Sequence, residues 1–182
     1  FDSIPDKDGF EIIVVDNSKE PLTREEIDSD RTITFLHSAY ERHAGGSRND
    51  GIAAAKGKWL LFADADDFFA DSAFEILYKH INDSDELIYF LSSAIYSDTG
   101  EPSDRTEQYC DMVKDYLDGT QEESFLRLCY SSPCSKMVSH GLVERKNLNY
   151  DEVEASNDVF FSLLSGYYAK SIAAYPEIVY VA

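Results

Sequence analysis

Leu60-Leu61-Phe62-Ala63-Asp64-Ala65-Asp66-Asp67-Phe68-Phe69 decides the reading of this chain. The apolar run that starts at Trp59 and ends near Ala63 reads as a short strand, and it empties into a cluster of carboxylates. If the backbone stays extended through the cluster, alternation puts Asp64 and Asp66 on one side. Like charges that close repel, and burying either is costly unless something compensates. A bound divalent cation compensates most simply. Carboxylate oxygens suit a hard ion such as magnesium or manganese, and a small ion held by few carboxylates usually also holds phosphate. The same letters also read as an acidic turn that caps the next helix, and taken alone they support both readings.

Upstream, Phe10 to Val15 is an apolar, β-branched run that suits a buried parallel strand. It ends in the polar turn Asp16-Asn17-Ser18. Pro21 to Asp28 reads as a short acidic helix and Thr32 to Phe35 as a second strand. His37 to Asn49 reads as a loop. Asn49 to Ala55 opens a helix of small residues that Gly57 terminates. Strand, helix, strand, helix, strand is the grammar of an α/β protein with a mostly parallel sheet. In such sheets ligands sit at the carboxyl ends of the strands, where Asp16 and Asp64 both fall.

Downstream, Phe74, Leu77, Tyr78 and Ile81 place one apolar face on a helix over Ala70 to Ile81. Glu86 to Tyr96 is a longer strand, kinked or paired at its end. Ser97 to Arg105 is a polar loop, the stretch best suited to mobility. Glu107 to Leu117 is helical. Thr120 and Glu123 form a capping-box pattern that opens a helix to about Cys129, with Phe125, Leu128 and Cys129 facing inward. Ser132-Pro133 breaks it. Asp158 to Tyr168 is a last helix seated by Phe161, Leu164 and Tyr168, and Tyr175 to Val181 is a terminal strand. Phe1 to Pro5 reads like the tail of a helix already under way.

With 182 residues, 43% of them hydrophobic, the chain suits one domain with a true core. Its net charge of -19 argues against a nucleic acid or an anionic membrane surface as a partner recognised by charge. A phosphate-bearing small molecule remains compatible, because a metal inverts the local field. The three cysteines (Cys110, Cys129 and Cys134) form neither a metal pattern nor a disulfide framework, which favours a reducing compartment. His37, His43, His80 and His140 show no ligand spacing.

Three segments carry a resemblance: Glu11 to Ser18 (EIIVVDNS), Gly46 to Gly57 (GSRNDGIAAAKG) and Leu61 to Asp67 (LFADADD). In this order and spacing they resemble the nucleotide-binding half of the inverting family 2 glycosyltransferases of the bacterial polysaccharide type, which have the GT-A fold. Pro133 to Lys136 (PCSK) and Asn157 to Phe161 (NDVFF) resemble later segments of that family. The resemblance implies one GT-A-like domain over 1–182, a mostly parallel mixed sheet flanked by helices. Its nucleotide-binding half is 1–69 and its acceptor half 70–182. It also implies a nucleotide-diphospho-sugar donor, a Mn or Mg ion, a glycan or lipid-linked acceptor, and a cytoplasmic place, at most peripheral to the membrane.

By position, Asp16 would contact base or ribose, Asp64 ribose and metal, and Asp66 the metal most directly. Arg48 belongs to the polar loop beneath the donor and could pair with Asp64. Asp158 is the candidate general base, where the family commonly has Glu before it and this chain has Asn157; Glu154 is a nearby substitute. Bland roles stand beside these: Asp16 as a turn residue accepting backbone hydrogen bonds, and Asp158 as a helix N-cap. Lys136 reaches a phosphate or serves the surface. Trp59 and Phe62 are core residues, and Tyr96 and Tyr150 are acceptor-side aromatics. The family opens with a strand that this chain lacks, so the natural protein is expected to begin earlier. Two rival functions share the fold: a non-catalytic sugar-nucleotide or protein-binding module, and a metal-dependent nucleotide-sugar pyrophosphatase or nucleotidyltransferase.

Overall fold

A computed structural model describes residue 4 and residues 9–27 and 32–182. The helical tail expected over Phe1 to Pro5 therefore falls almost wholly outside the described residues. The β-branched run forms β1 (Ile13–Asp16), which pairs in parallel with β2 (Thr34–His37) from Ile13↔Thr34 to Asp16↔His37. Between them the expected acidic helix is a single 3-10 turn, Arg24–Glu26, which buries no residue. Without an apolar face, nothing tertiary supports a longer helix there.

Helix α1 (His43–Ala54) starts six residues before the expected Asn49 and runs through Gly45 and Gly46. Its glycines lower helix propensity, but a Cβ on Gly45 would overlap the Asp151 carbonyl and one on Gly46 the Arg42 side chain. Close packing explains a helix that local propensity argues against. Gly57 does not terminate it, since Ala55 caps the helix through Gly51 and Ile52. Glu11 accepts hydrogen bonds from the backbone N–H groups of Lys56 and Gly57 at 2.6 and 2.7 Å.

Then follow β3 (Trp59–Leu60), β4 (Phe68–Phe69), α2 (Ala73–Lys79) and β5 (Leu87–Ser93). The rest of the chain forms α3 (Glu107–Leu117), α4 (Glu123–Cys129), β6 (Lys136–Ser139), α5 (His140–Lys146), α6 (Val159–Tyr168) and β7 (Ile172–Val181). Helix α5 has no counterpart among the expected elements. Ser139 caps it by accepting from the Leu142 N–H, Asn147 ends it in the left-handed region at φ 50°, and Leu142 and Val143 are buried.

Five strands form one sheet in the order β3-β6-β5-β7-β4, and β1-β2 form another. Within the larger sheet only β5 and β7 run parallel; β3–β6, β5–β6 and β4–β7 are antiparallel. The sheet is thus mixed rather than mostly parallel, and β3 joins strands from the second half of the chain instead of β1. Among the described residues β1 pairs only with β2 and β3 only with β6. The cleft that separates them, about 210 Å³, is lined by Glu11, Ile13, Val15, Ile52, Leu60 and Phe62 among others.

Strand β5 organises the core. Leu87, Tyr89 and Leu91 enter one apolar cluster with α3, α4, α5 and α6, while Ile88 and Phe90 enter a second with α2. Each such side chain contributes on the order of 1.5–3 kcal/mol on burial. Parallel pairing with β7 skips residues between Ala174 and Ile178, and Pro176, which has no N–H to give, sits in that bulge. The 97–105 stretch is a closed turn: Tyr96 donates to the Glu101 carbonyl and Ile95 bridges Pro102.

Two helix faces differ from expectation. In α2 Phe74, Ile76 and Leu77 are buried while Tyr78 is 51% exposed. In α4 it is Leu126 that is buried, whereas Phe125, Leu128 and Cys129 are exposed, and the cap residue is Glu122 rather than Thr120. The cause is α6. A Cβ on Gly166 would overlap the Arg127 carbonyl, so the two backbones touch, and the Arg127 guanidinium donates to the Gly166 and Ala169 carbonyls at 2.8 and 2.7 Å. That contact sets the rotation of α4. Tyr168, expected to seat α6, is 37% exposed under the Lys146 ammonium, which lies 4.5 Å from its ring centroid.

Gly166→Ala is therefore expected to lower stability by about 1–3 kcal/mol, as forced overpacking does. Urea unfolding checks this. Exposed Gly100→Ala, which meets no atom within 4 Å but has φ +72°, supplies the strain-only comparison.

Candidate functional site

After Leu60 the chain leaves the strand and turns, with the Asp67 N–H donating to the Asp64 carbonyl at 3.2 Å. The backbone is not extended through the carboxylates, so alternation does not set their directions. Asp64 and Asp67 line a pocket of about 270 Å³ together with Asp158, Arg105, Tyr109, Cys134 and others. Asp66 is exposed and does not line it.

Arg48 joins the two halves of the chain. Held on α1, its guanidinium donates to Asp64 Oδ1 at 2.6 Å and to Asn157 Oδ1 at 2.7 Å. It lies 5.3 Å from the ring centroid of Tyr150, and its side chain is 14% exposed. Burial is the largest influence and works against the charge, yet the Asp64 carboxylate, first among the groups that oppose it, helps hold the guanidinium above its ordinary pKa. The expected Arg48–Asp64 pair is present. The unexpected partner is Asn157, next to Asp158, at the position where the resemblance has Glu. Tyr150 is not an exposed acceptor-side aromatic: it is buried, stacks on Phe161 at 4.0 Å and meets Phe62 edge-on, and its hydroxyl has no hydrogen-bond partner. Phe62 packs against the core as expected, and Trp59 donates its indole N–H to the Ile81 carbonyl. Tyr96 is 53% exposed and lies outside the pocket lining.

Tyr180, which the sequence does not mark, holds the turn. Its hydroxyl accepts from the Asp64 N–H at 2.9 Å and donates to Asp67 Oδ2 at 2.8 Å. Burial raises the Asp67 carboxyl above its ordinary range, the Tyr180 hydroxyl opposes this, and the charges of Asp66 and Asp64 add to the rise. Only the return of β7 beside β4 brings Tyr180 here, through Phe69↔Tyr180.

Asp158 stands at the N-cap of α6, but its side chain makes no capping hydrogen bond. Asp158 lines the pocket with Asp64 and Asp67. Asn157 is buried, and its carbonyl accepts from the Asp151 N–H. Glu154 is exposed. Asp16 lies apart from this group. It is buried at the end of β1 and accepts from Ser18 N, Ser18 Oγ and Leu22 N at 3.1, 2.6 and 2.9 Å, with His37 Nδ1 3.4 Å away. Burial raises its pKa, yet these donors prevail and hold it below the ordinary value. The turn-residue reading of Asp16 thus describes its geometry. Lys136 is neither at a phosphate position nor on the surface, being 1% exposed.

The donor set suits a hard divalent ion. Arg48 occupies one oxygen of Asp64, and Asp66 is open to solvent. Among the described residues no three His, Cys, Asp or Glu side chains converge on one point, so an ion here would take further oxygens from water or a phosphate ligand. Among the described residues, too, no helix is long and apolar enough to cross a membrane.

The α/β fold thus places an acid-lined pocket at a strand end, and one arginine bridges its two sides. The profile described as "Glycosyl transferase family 2" matches residues 2–145, and the chain belongs to that family. It is 26% identical over 175 residues to the putative glycosyltransferase EpsH of Bacillus subtilis strain 168, covering 91% of this chain and 50% of that protein. Over 80 residues it is 30% identical to the glycosyltransferase GlyG of Streptococcus pneumoniae, covering 42% of this chain and 27% of that one. Among solved structures, S. aureus TarS 1-349 in complex with UDP superposes with a TM-score of 0.74 at 18% identity, over 96% of this chain and 51% of that one. TarS 1-349 with UDP-GlcNAc gives 0.70 at 16%, over 96% and 49%. These likenesses establish the fold. The chain spans about half the length of EpsH and of TarS 1-349.

Asp67→Asn keeps an acceptor for Tyr180 and removes a charge whose pKa is raised. A raised carboxylate pKa means the folded state favours the neutral form, so the variant is expected to melt higher at neutral pH. The difference should vanish as the pH falls through the carboxylate range, where native Asp67 is also neutral. Thermal melts across pH 3 to 8 read this directly.

Proposed function

We propose that this chain is the catalytic part of a glycosyltransferase of GT-A architecture that moves a sugar, with inversion, from a nucleotide-diphosphate donor to a glycan or lipid-linked acceptor. The observation that carries the reading is the Arg48 bridge. It ties an acid of the donor half, Asp64, to the residue beside an acid of the acceptor half, Asp158, so that both face one pocket. TarS, whose fold this chain shares, is described in complex with UDP and with UDP-GlcNAc, which favours a UDP-sugar donor here.

In this reading the acceptor hydroxyl oxygen attacks the anomeric carbon. The bond from that carbon to the diphosphate oxygen breaks, and its electron pair leaves with the nucleotide. Asp158 takes the hydroxyl proton, a role for which a carboxylate uncommitted to capping is suited. Asp64 and Asp66 would hold Mn or Mg, which offsets the charge developing on the diphosphate. Arg48 orients Asp64 and keeps its Oδ1 occupied. Asp16, fixed by Ser18 and Leu22, presents a rigid acceptor for base or ribose.

Calorimetric titration of UDP, GDP and TDP with and without Mn should show metal-dependent binding. Asp66→Ala should abolish nucleotide release from the donor. Asp158→Asn should lower kcat by about 100-fold or more while donor affinity stays near native. Release that survives Asp66→Ala sinks the metal assignment. Donor hydrolysis without transfer to any acceptor indicates a pyrophosphatase, and absence of nucleotide binding indicates a non-catalytic module.

A further inference from the structure

Lys136 is a buried lysine with no carboxylate in salt-bridge contact among the described residues. It sits on β6 opposite Tyr89 of β5 and is 1% exposed. Its ammonium donates to Ser162 Oγ at 3.0 Å and lies 5.3 Å from the ring centroid of Tyr130. Ser162 passes the link on in two directions. Its hydroxyl donates to the Ser131 carbonyl at 2.7 Å, and its backbone N–H donates to the Asp158 carbonyl at 3.0 Å. Ser131 precedes Ser132 and Pro133, which line the pocket that Asp158 faces. One side chain therefore pins the first turn of α6 and the loop before β6 to the same strand.

A buried cation held by one hydroxyl and one aromatic face is poorly compensated, and an apolar residue of the same length would serve packing at least as well. Such a group is unusual as mere filling and common where it tunes a site. The titratable groups around it are few. Burial raises the hydroxyls of Tyr130 after α4 and Tyr89 on β5 and so keeps both neutral. Cys134 on its own strand's approach is pushed up to about 12 by burial, and Glu123 and Arg127 of α4 act on Tyr89. Asp158 is the anionic side chain whose charge reaches the amine and favours its protonated form.

We propose that Lys136 is a positioning residue for Asp158: through Ser162 it sets the start of α6 over the pocket, and its positive charge backs the Asp158 carboxylate from inside the protein. This rests on the reading of Asp158 as the base. Consistent with the geometry, burial lowers the Lys136 amine to about 7, with Cys134 and Asp158 opposing that fall. Folded Lys136 thus binds its proton less tightly than unfolded Lys136. Its protonation weakens the fold below about pH 7, and this penalty fades between about 7 and the ordinary value of 10.5.

Lys136→Met keeps the chain length and removes the charge; Ser162→Ala keeps the charge and removes the anchor. With Lys136→Met, kcat is expected to fall about ten-fold or more with donor KM within about two-fold, the scale of a small misplacement of a reacting group. The melting temperature should hold or rise at pH 7, and the native protein should gain on the variant as pH climbs from about 7 towards 10. Ser162→Ala should show the same split between kcat and KM, less strongly. Independently of activity, the Lys136 side-chain NMR resonance should titrate at lower pH in Asp158→Asn than in the native chain. Unchanged kcat in both variants overturns the proposal, as does a Lys136→Met protein that melts earlier, or a rise in donor KM at native kcat. A Lys136 titration indifferent to Asp158→Asn also overturns it. If the native chain transfers no sugar, the proposed function fails, while the Lys136 titration still decides the coupling to Asp158.

Discussion

The Arg48 guanidinium is the constraint on which the rest of the site depends. Its planar fork gives one N–H direction to Asp64 and another to Asn157, a geometry that a lysine point charge does not reproduce. The two acceptors lie 93 residues apart (157 − 64) and belong to different parts of the fold. Beneath the fork lies Tyr150, itself stacked on Phe161 of α6. The fork is therefore supported by the same aromatic layer that seats the helix carrying Asp158. Position of the turn, position of the helix and charge of the pocket are one coupled problem.

Around that fork, carboxylates are kept apart by different means. Asp16 accepts three hydrogen bonds and is pulled below its ordinary pKa, whereas Asp67 is raised by burial and by its acidic neighbours. Asp66 is left to solvent, and Asp158 is left without a capping bond. A chain with a net charge of -19 thus does not present a uniform acidic surface here. It presents one anchored acid, one bridged acid and others with coordination capacity to spare. Farther along the same wall, Arg42 joins Asp50 and Glu152, fastening α1 to the segment that leads into Asn157.

The larger sheet supports this arrangement from behind. Strand β5 is buried on both faces, and its ladder with β7 carries the bulge that accommodates Pro176. Because β7 returns beside β4, Tyr180 lies under the acidic turn and holds its backbone and its last carboxylate with one hydroxyl. Because α6 meets α4 backbone to backbone at Gly166, the orientation of α6 is fixed at both ends, by Arg127 near its end and by Lys136 near its start.

The sequence alone determined the local elements and the acids. The β-branched run at β1, the heavy apolar run at β5, the helix Glu107–Leu117 and the order of the three family segments follow from side-chain chemistry within a few residues of one another. The Arg48–Asp64 pair, expected from the resemblance, is present, and Asp64 and Asp158 line one pocket. The start of α1, the buried face of α4, the antiparallel partners of β3, the roles of Tyr180, Asn157 and Lys136, and the separation of Asp16 from the pocket were decided by tertiary structure alone. Each depends on a backbone contact or a strand pairing between residues far apart in the chain. Hydrophobic periodicity reports which face of an element avoids water, but carries no information about which distant neighbour covers it.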